Sequence, residues 1–288
     1  MMKSQKNIIS LQFFIIIFTL HSLSISSFAD RPMYKRITNV RGQQFSISWI
    51  TENKEVGIIK YGKDKSNYES WLAACDDRGD LIKDDIHHVT IEHLKADTTY
   101  WYDIISGNTI DNNLGNHYEQ KTGADLTPEP GSCQTAGKIF IDSMNREPAC
   151  DSIIYVTIKH SSDNNQSAPE SFIMTQEKGG YWIGELFNAR TFDFNNKYIF
   201  NCGGSIIDIK VQSGNNGFAQ LTTTLVDGYI PDIILQSDQD ELIELIGLIK
   251  LVSGIQPEEE IIYTSFDNNN DGIIDIADIL FGIIKMSE

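Results

Sequence analysis

Five oxygen-bearing side chains near the end of the chain are spaced as a calcium site requires. In Asp267-Asn268-Asn269-Asn270-Asp271-Gly272-Ile273-Ile274-Asp275-Ile276-Ala277-Asp278, the residues Asp267, Asn269, Asp271, Asp275 and Asp278 fall at positions 1, 3, 5, 9 and 12 of a twelve-residue loop. Calcium takes about six to eight oxygens at flexible geometry, and the backbone carbonyl of Ile273 at position 7 supplies a further one. Gly272 stands at position 6, where the loop turns sharply and a left-handed backbone is needed. The pattern predicts one bound Ca2+.

Other chemically capable groups lack such spacing. Asp84-Asp85-Ile86-His87-His88 holds several metal-type ligands, but neighbouring residues of a strand point to opposite faces, so the polar start of a strand is the plainer reading. A loop metal site from Asp84, Asp85 and one histidine is the alternative. Arg78-Gly79-Asp80 matches an integrin-binding tripeptide that recurs by chance, and it is discounted. No G-x-S-x-G or H-E-x-x-H sequence occurs, and no paired-carboxylate, Cys/His or phosphate-cradling glycine pattern stands out. No enzymatic activity is expected, and no catalytic residue is assigned. The cysteines Cys75, Cys133, Cys150 and Cys202 have no zinc-type spacing; an even number in an exported chain allows two disulfides, and Cys150 with Cys202 is the expected pair.

Export is read from the N-terminus. Lys3 and Lys6 precede the apolar run Ile8 to Leu20, and Ser27-Phe28-Ala29 forms a small-residue cleavage site, so residues 1–29 read as a signal peptide. The run is shorter than the ~20 residues of a spanning helix, and no later segment is apolar enough to span a membrane. Cleavage takes the formal charge from −17 to −19, which argues against nucleic acid and anionic lipid and suits a calcium-rich exterior. The expected location is secreted or cell-surface.

The elements that must position these groups are mostly strands. Residues 31–123 show alternation in Gln44 to Trp49, where Phe45, Ile47 and Trp49 share a face, followed by Val56 to Tyr61, His88 to Ile91 and Thr99 to Ile104. Leu94-Lys95-Ala96-Asp97-Thr98-Thr99-Tyr100 resembles the L-x-P-x-T-x-Y corner of fibronectin type III domains, with Ala96 in place of the usual proline. The resemblance implies a sandwich in which the Tyr100 hydroxyl binds backbone upstream. The same stretch also resembles the non-catalytic N-terminal sandwich of purple acid phosphatases. Gly115-Asn116-His117-Tyr118 imitates part of a phosphatase metal motif without its partner motifs.

Thr127 to Ser132 is linker-like in composition, and residues 124–135 are taken as the connection. Residues 136–230 again read as strands only: Gly137 to Asp142, Ser152 to Ile158, Tyr181 to Ile183, Ser205 to Val211 and Phe218 to Val226. Its opening, with Pro148-Ala149 between two strands, resembles carboxypeptidase-regulatory-like, transthyretin-like sandwiches. The predicted fold is therefore mostly β, as tandem antiparallel β-sandwiches followed by a small helical calcium-loop unit at 231–288.

In that last unit Glu241 to Val252 and Ile276 to Met286 read as apolar helices at an offset of 35 residues, with Gly247 matching Gly282 and Asp232 matching Asp267. Asp rather than Glu at position 12 and the missing entering helix make the segment similar to a degenerate dockerin, an EF-hand-type loop and helix. Its first loop has lost its ligands, since Ile234 and Gln236 occupy two of those positions. Dockerins imply a cohesin partner, but Ile276 and Ala277 replace the small hydroxyl residues of that contact, so the helix pair is expected to dock on a neighbour instead. Two functions follow: an exported, non-catalytic attachment or assembly protein stabilised by calcium, or an accessory subunit of a polysaccharide-degrading complex tethered through its C-terminus. Cell-surface carbohydrate is the further candidate partner.

Overall fold

The computed structural model describes residues 31–127, 133–160, 165–174 and 180–236. The first module holds β1 (Met33–Thr38), β2 (Phe45–Gly62), β3 (Leu72–Cys75), β4 (Lys83–Ile91), β5 (Thr99–Ser106), β6 (Thr109–Asp111) and β7 (Tyr118–Lys121). Two stretches read separately from sequence, Gln44 to Trp49 and Val56 to Tyr61, are one long strand, β2. Its first part pairs with β1 and β4, and its second part with β3 and β5. A register shift between Ile50 and Glu55 marks the irregularity that lets β2 serve both layers. β6 and β7 lie along the same edge of β5 as one interrupted strand.

Alternation sorts this module as expected. Phe45, Ile47, Trp49, Val89, Ile91, Tyr102 and Ile104 fill its core. Tyr100 is 4% exposed, and its hydroxyl accepts a hydrogen bond from the Lys95 amide at 3.0 Å. That is the tyrosine corner anticipated from Leu94 to Tyr100, and it forms with Ala96 in the turn.

The second module holds β8 (Gln134–Gly137), β9 (Ile139–Phe140), β10 (Ile153–Lys159), β11 (Glu170–Ile173), β12 (Trp182–Glu185), β13 (Ile206–Gln212), β14 (Phe218–Thr224), β15 (Gly228–Tyr229) and β16 (Ile233–Ile234). One antiparallel sheet runs β11-β10-β13-β14, and facing it are β12-β8-β15 and the pair β16-β9. Two pairings, β15 with β8 and β16 with β9, are parallel. Ile154, Val156, Ile158, Ile207, Ile209 and Val211 turn inward onto Trp182 and Leu186.

The strands reach beyond the boundaries read from sequence. β8 starts at Gln134, inside the stretch assigned to the linker, because the buried Cys133 anchors it and Thr135 pairs with Gly184. At the other end Ile230, Ile233 and Leu235 belong to the second core, and Phe218 bridges Gln236. The module therefore includes residues 231–236, and the expected calcium-bearing unit is narrowed to 237–288, outside the described residues.

The expected Cys150–Cys202 disulfide is corrected: Cys202 is bonded to Cys133, while Cys75 and Cys150 are free. The register of β10 and β13 explains it. Cys150 precedes the Ile153 end of that pair, and Cys202 precedes the Ile206 end, which lies opposite Lys159. Roughly 20 Å of strand separates the two ends, far beyond the ~7 Å that a disulfide can span. Cys133 is carried to Cys202 by the segment after β14: Gly203 donates to the Leu225 carbonyl, and Gln134 donates to Asp227.

Candidate functional site

The two modules meet face to face. Alternation along β2 and β4 leaves Ser46, Ser48, Ile50, Ile86, His88 and Thr90 on the outer face of the first sandwich, paired across the strands as Ser46–Thr90, Ser48–His88 and Ile50–Ile86. The outer face of the second module's larger sheet carries Ile153, Tyr155, Thr157 and Lys159 of β10 and Ser171 of β11. Ile50, Ile86, Ile153 and Tyr155 close into a small core of their own, distinct from those of the two sandwiches. Beside it the Tyr155 hydroxyl lies 2.7 Å from Ser48 Oγ, and burial pushes the Tyr155 phenol pKa up.

Ser171 is the hub of this seam. Being on the edge strand β11, its outward N–H and C=O have no strand partner, and Asn39 supplies one. Asn39 Oδ1 accepts from the Ser171 amide at 2.9 Å, and Asn39 Nδ2 donates to the Ser171 carbonyl at 3.1 Å. A side-chain amide thus stands in for a neighbouring strand. Asn39 adopts φ 53°, a left-handed conformation that asparagine tolerates better than most residues.

The hydroxyl of Ser171 completes an arrangement that sequence reading missed. His88 Nε2 lies 2.7 Å from Ser171 Oγ, and His88 Nδ1 lies 2.9 Å from Asp77 Oδ2. Burial opposes ionisation of Asp77, but its bonds from His88 and Thr90 outweigh this and hold the carboxyl below the usual range. An ionised Asp77 only accepts, so Nδ1 carries a proton towards it. Ser171 Oγ also lies 2.6 Å from Thr38 Oγ1 and accepts from Asn39 Nδ2 at 3.0 Å, and with His88 these three partners fill the one-donor, two-acceptor capacity of a hydroxyl. The geometry is that of a nucleophile, base and orienting acid, but Ser171 and His88 are each 4% exposed. With its hydroxyl saturated and enclosed, Ser171 has no open face from which to attack a substrate. The chain of bonds ties one module to the other.

An ion pair and a hydrogen bond to a carboxylate flank the seam. On one side Arg41 donates to Glu170 at 2.6 Å; Glu170 is 1% exposed, and burial pushes its pKa up against the pull of Arg41 and Arg190. On the other side the Asn215 amide donates to Asp85 Oδ2 at 2.8 Å. A Cβ added to Gly214 would lie 2.3 Å from that carboxylate oxygen, so only glycine allows the approach.

The remaining candidates are accounted for by charge pairing. Arg78 is bound by Asp76 at 2.8 Å and Asp84 at 2.6 Å, with its side chain 8% exposed, so Arg78-Gly79-Asp80 is not presented to a receptor. Asp84 also meets Lys54, and Asp85 binds the second module. His87 and His88 point to opposite faces: His87 stacks on Trp49 at 4.9 Å in the first core, and burial drives its pKa down to about 4. His117 binds Asp103 at 2.7 Å and packs on Tyr68 and Trp71. Among the described residues no three His, Cys, Asp or Glu side chains are grouped to hold a metal ion. Asp267, Asn269, Asp271, Ile273, Asp275 and Asp278 lie outside the described residues.

Where the seam ends, a groove of about 420 Å³ opens on the same sheet face. Its lining includes Arg36, Tyr155, Thr157, Lys159, Phe192 and Lys210. The Arg36 guanidinium lies over the Tyr155 ring at 4.9 Å from its centroid. Lys159 is paired with Asp208.

No protein-family model and no curated protein matches the chain. Among solved structures it is similar to the fibronectin type III domain of human contactin 1, at 15% identity and a TM-score of 0.27, covering 35% of this chain and 82% of that one. It is also similar to the FN1–FN3 domains of chicken contactin 1, at 13% identity and a TM-score of 0.25, covering 68% and 65% of the two chains. A third likeness, to the central fibronectin-III array of RIM-binding protein, has 10% identity and a TM-score of 0.22, covering 67% and 62%. Likenesses of this degree carry no functional argument. The sandwich assignment rests on the strand pairing and the tyrosine corner.

Proposed function

We propose that the chain is an exported, non-catalytic spacer: two β-sandwiches locked into one body, carrying a calcium-stabilised C-terminal unit for attachment or assembly. One observation carries the reading, the continuous seam from Arg41–Glu170 through Asn39, Ser171 and Tyr155 to Asp85–Asn215. Linked sandwiches ordinarily move relative to one another unless the interface is extensive. A seam that saturates edge-strand groups and encloses its own apolar core instead holds the two sandwiches in one relation, which is what a spacer must do. The Cys133–Cys202 bond supports an oxidising compartment. The dockerin-like loop Asp267 to Asp278 supports calcium, since four carboxylates in one loop repel one another without a cation.

Titration calorimetry of the full chain tests the reading: one calcium per chain is expected, lost in Asp271→Ala. Hydrogen exchange with EDTA should loosen residues 237–288 and leave both sandwiches protected. A flat titration refutes the calcium part. A mature N-terminus other than Asp30, or retention in the cytoplasm, refutes the export part.

A further inference from the structure

We propose that the groove beside the seam binds an acidic saccharide, a sugar unit bearing a carboxylate. The charge is the first reason. The chain as a whole carries −17, yet the groove gathers Arg36, Lys159 and Lys210 against the single carboxylate of Asp208. Asp208 is committed to Lys159 and to the Thr222 hydroxyl. Arg36 makes no ion pair among the described residues, and Lys210 shares Asp208 with Lys159 only at longer range. Their place follows from register: Tyr155 pairs with Lys210 on β13, and Arg36 of β1 lies over the Tyr155 ring. Three cations therefore converge on one groove against a single carboxylate in a strongly acidic protein, an arrangement suited to an anion.

The lining chooses among anions. Thr157 and Gln166 offer side chains that bond to no described residue, as ligand hydroxyls would require. Phe192, which also lines the groove, is 66% exposed, and its ring offers a surface suited to the face of a pyranose. A volume of about 420 Å³ falls within the roughly 300–1,000 Å³ of small-molecule sites. An extended acidic peptide is disfavoured because the free backbone edge of β11 at Ser171, where strand addition would occur, is occupied by the Asn39 amide. The inference is independent of the C-terminal calcium reading.

Calorimetry on the full chain with a galacturonic acid trisaccharide tests it, in EDTA so that no calcium bridge contributes. Saturable 1:1 binding is expected, at least tenfold tighter than for a neutral glucose trisaccharide or for hexa-aspartate. Arg36→Gln, Lys210→Gln and Phe192→Ala should each weaken it tenfold or more. All three residues are exposed, and unchanged urea midpoints would confirm that the fold is kept. Absence of saturable binding overturns the proposal. Equal affinity for hexa-aspartate, or affinity unmoved by Phe192→Ala, also overturns it, by reducing the groove to a basic patch.

Discussion

Replacing Asn39 removes the amide that satisfies Ser171 and leaves every other seam residue in place. Asn39→Gly deletes two bonds to backbone, from the Ser171 amide and to its carbonyl, and two to hydroxyls, those of Ser171 and Ser46. Ser171 is 4% exposed, so water replaces these poorly. An unsatisfied buried group costs about 1–3 kcal/mol, and with two backbone groups stranded the loss is about 2–4 kcal/mol once partial rehydration is allowed. Glycine accepts φ 53° without strain, whereas alanine there adds about 1 kcal/mol, so Asn39→Ala should be the worse of the pair. The assay is urea denaturation followed by pulsed hydrogen exchange, which reads both modules in one sample. In the unaltered protein both should unfold at one midpoint, and in the variants both should be destabilised. A change below about 0.5 kcal/mol, within the range of an ordinary surface substitution, would refute the role given to Asn39.

Three further outcomes follow from the same geometry. Tyr100→Phe removes the corner hydroxyl from the Lys95 amide and should cost about 1 kcal/mol in urea denaturation; an unchanged midpoint would count against the corner. Mass mapping should find Cys133 joined to Cys202, with Cys75 and Cys150 open to alkylation; because the bond spans 69 residues, its loss in Cys202→Ser should cost about 4 kcal/mol, whereas Cys150→Ser should cost little. His87, held near 4 by burial against an ordinary value of 6.5, takes up its proton more readily when unfolded. Stability should therefore fall as pH drops from about 6.5 to about 4, by about 3 kcal/mol at ~1.36 kcal/mol per unit, and His87→Gln should flatten that fall; an unchanged slope would remove His87 as its source.

Much of the fold was legible because period-two alternation records which face of a strand is buried. Phe45, Ile47 and Trp49 lie in the first core as their spacing implied, and Leu94 to Tyr100 marked the corner. The seam was harder to see. Its best signal is β10, where Ile153, Ile154, Tyr155 and Val156 are apolar in succession, the mark of a strand buried on both faces. Its other members, Asn39 after β1 and Ser48, Ser171 and His88 on strands, are polar residues typical of a solvated surface, and only docking of the second module makes them interior. The Cys133–Cys202 bond and the short β8 were concealed by proximity to the Pro/Gly/Ser-rich stretch, whose composition reports a turn nearby without saying where the next strand starts. The groove residues share no sequence pattern, because Arg36 of the first module meets Phe192 and Lys210 of the second only where the modules dock.

The seam should hold the two sandwiches in one fixed relation, and a distance distribution between them measures that directly. Nitroxide labels at the exposed positions Leu114 and Met144, one in each module, introduced on a Cys75→Ser, Cys150→Ser background, would be read by pulsed electron resonance. A single narrow distance distribution is predicted for the unaltered seam, broadening in Asn39→Gly. A broad distribution with Asn39 in place would contradict the account, because the modules would then be beads on a tether and the seam would fix nothing.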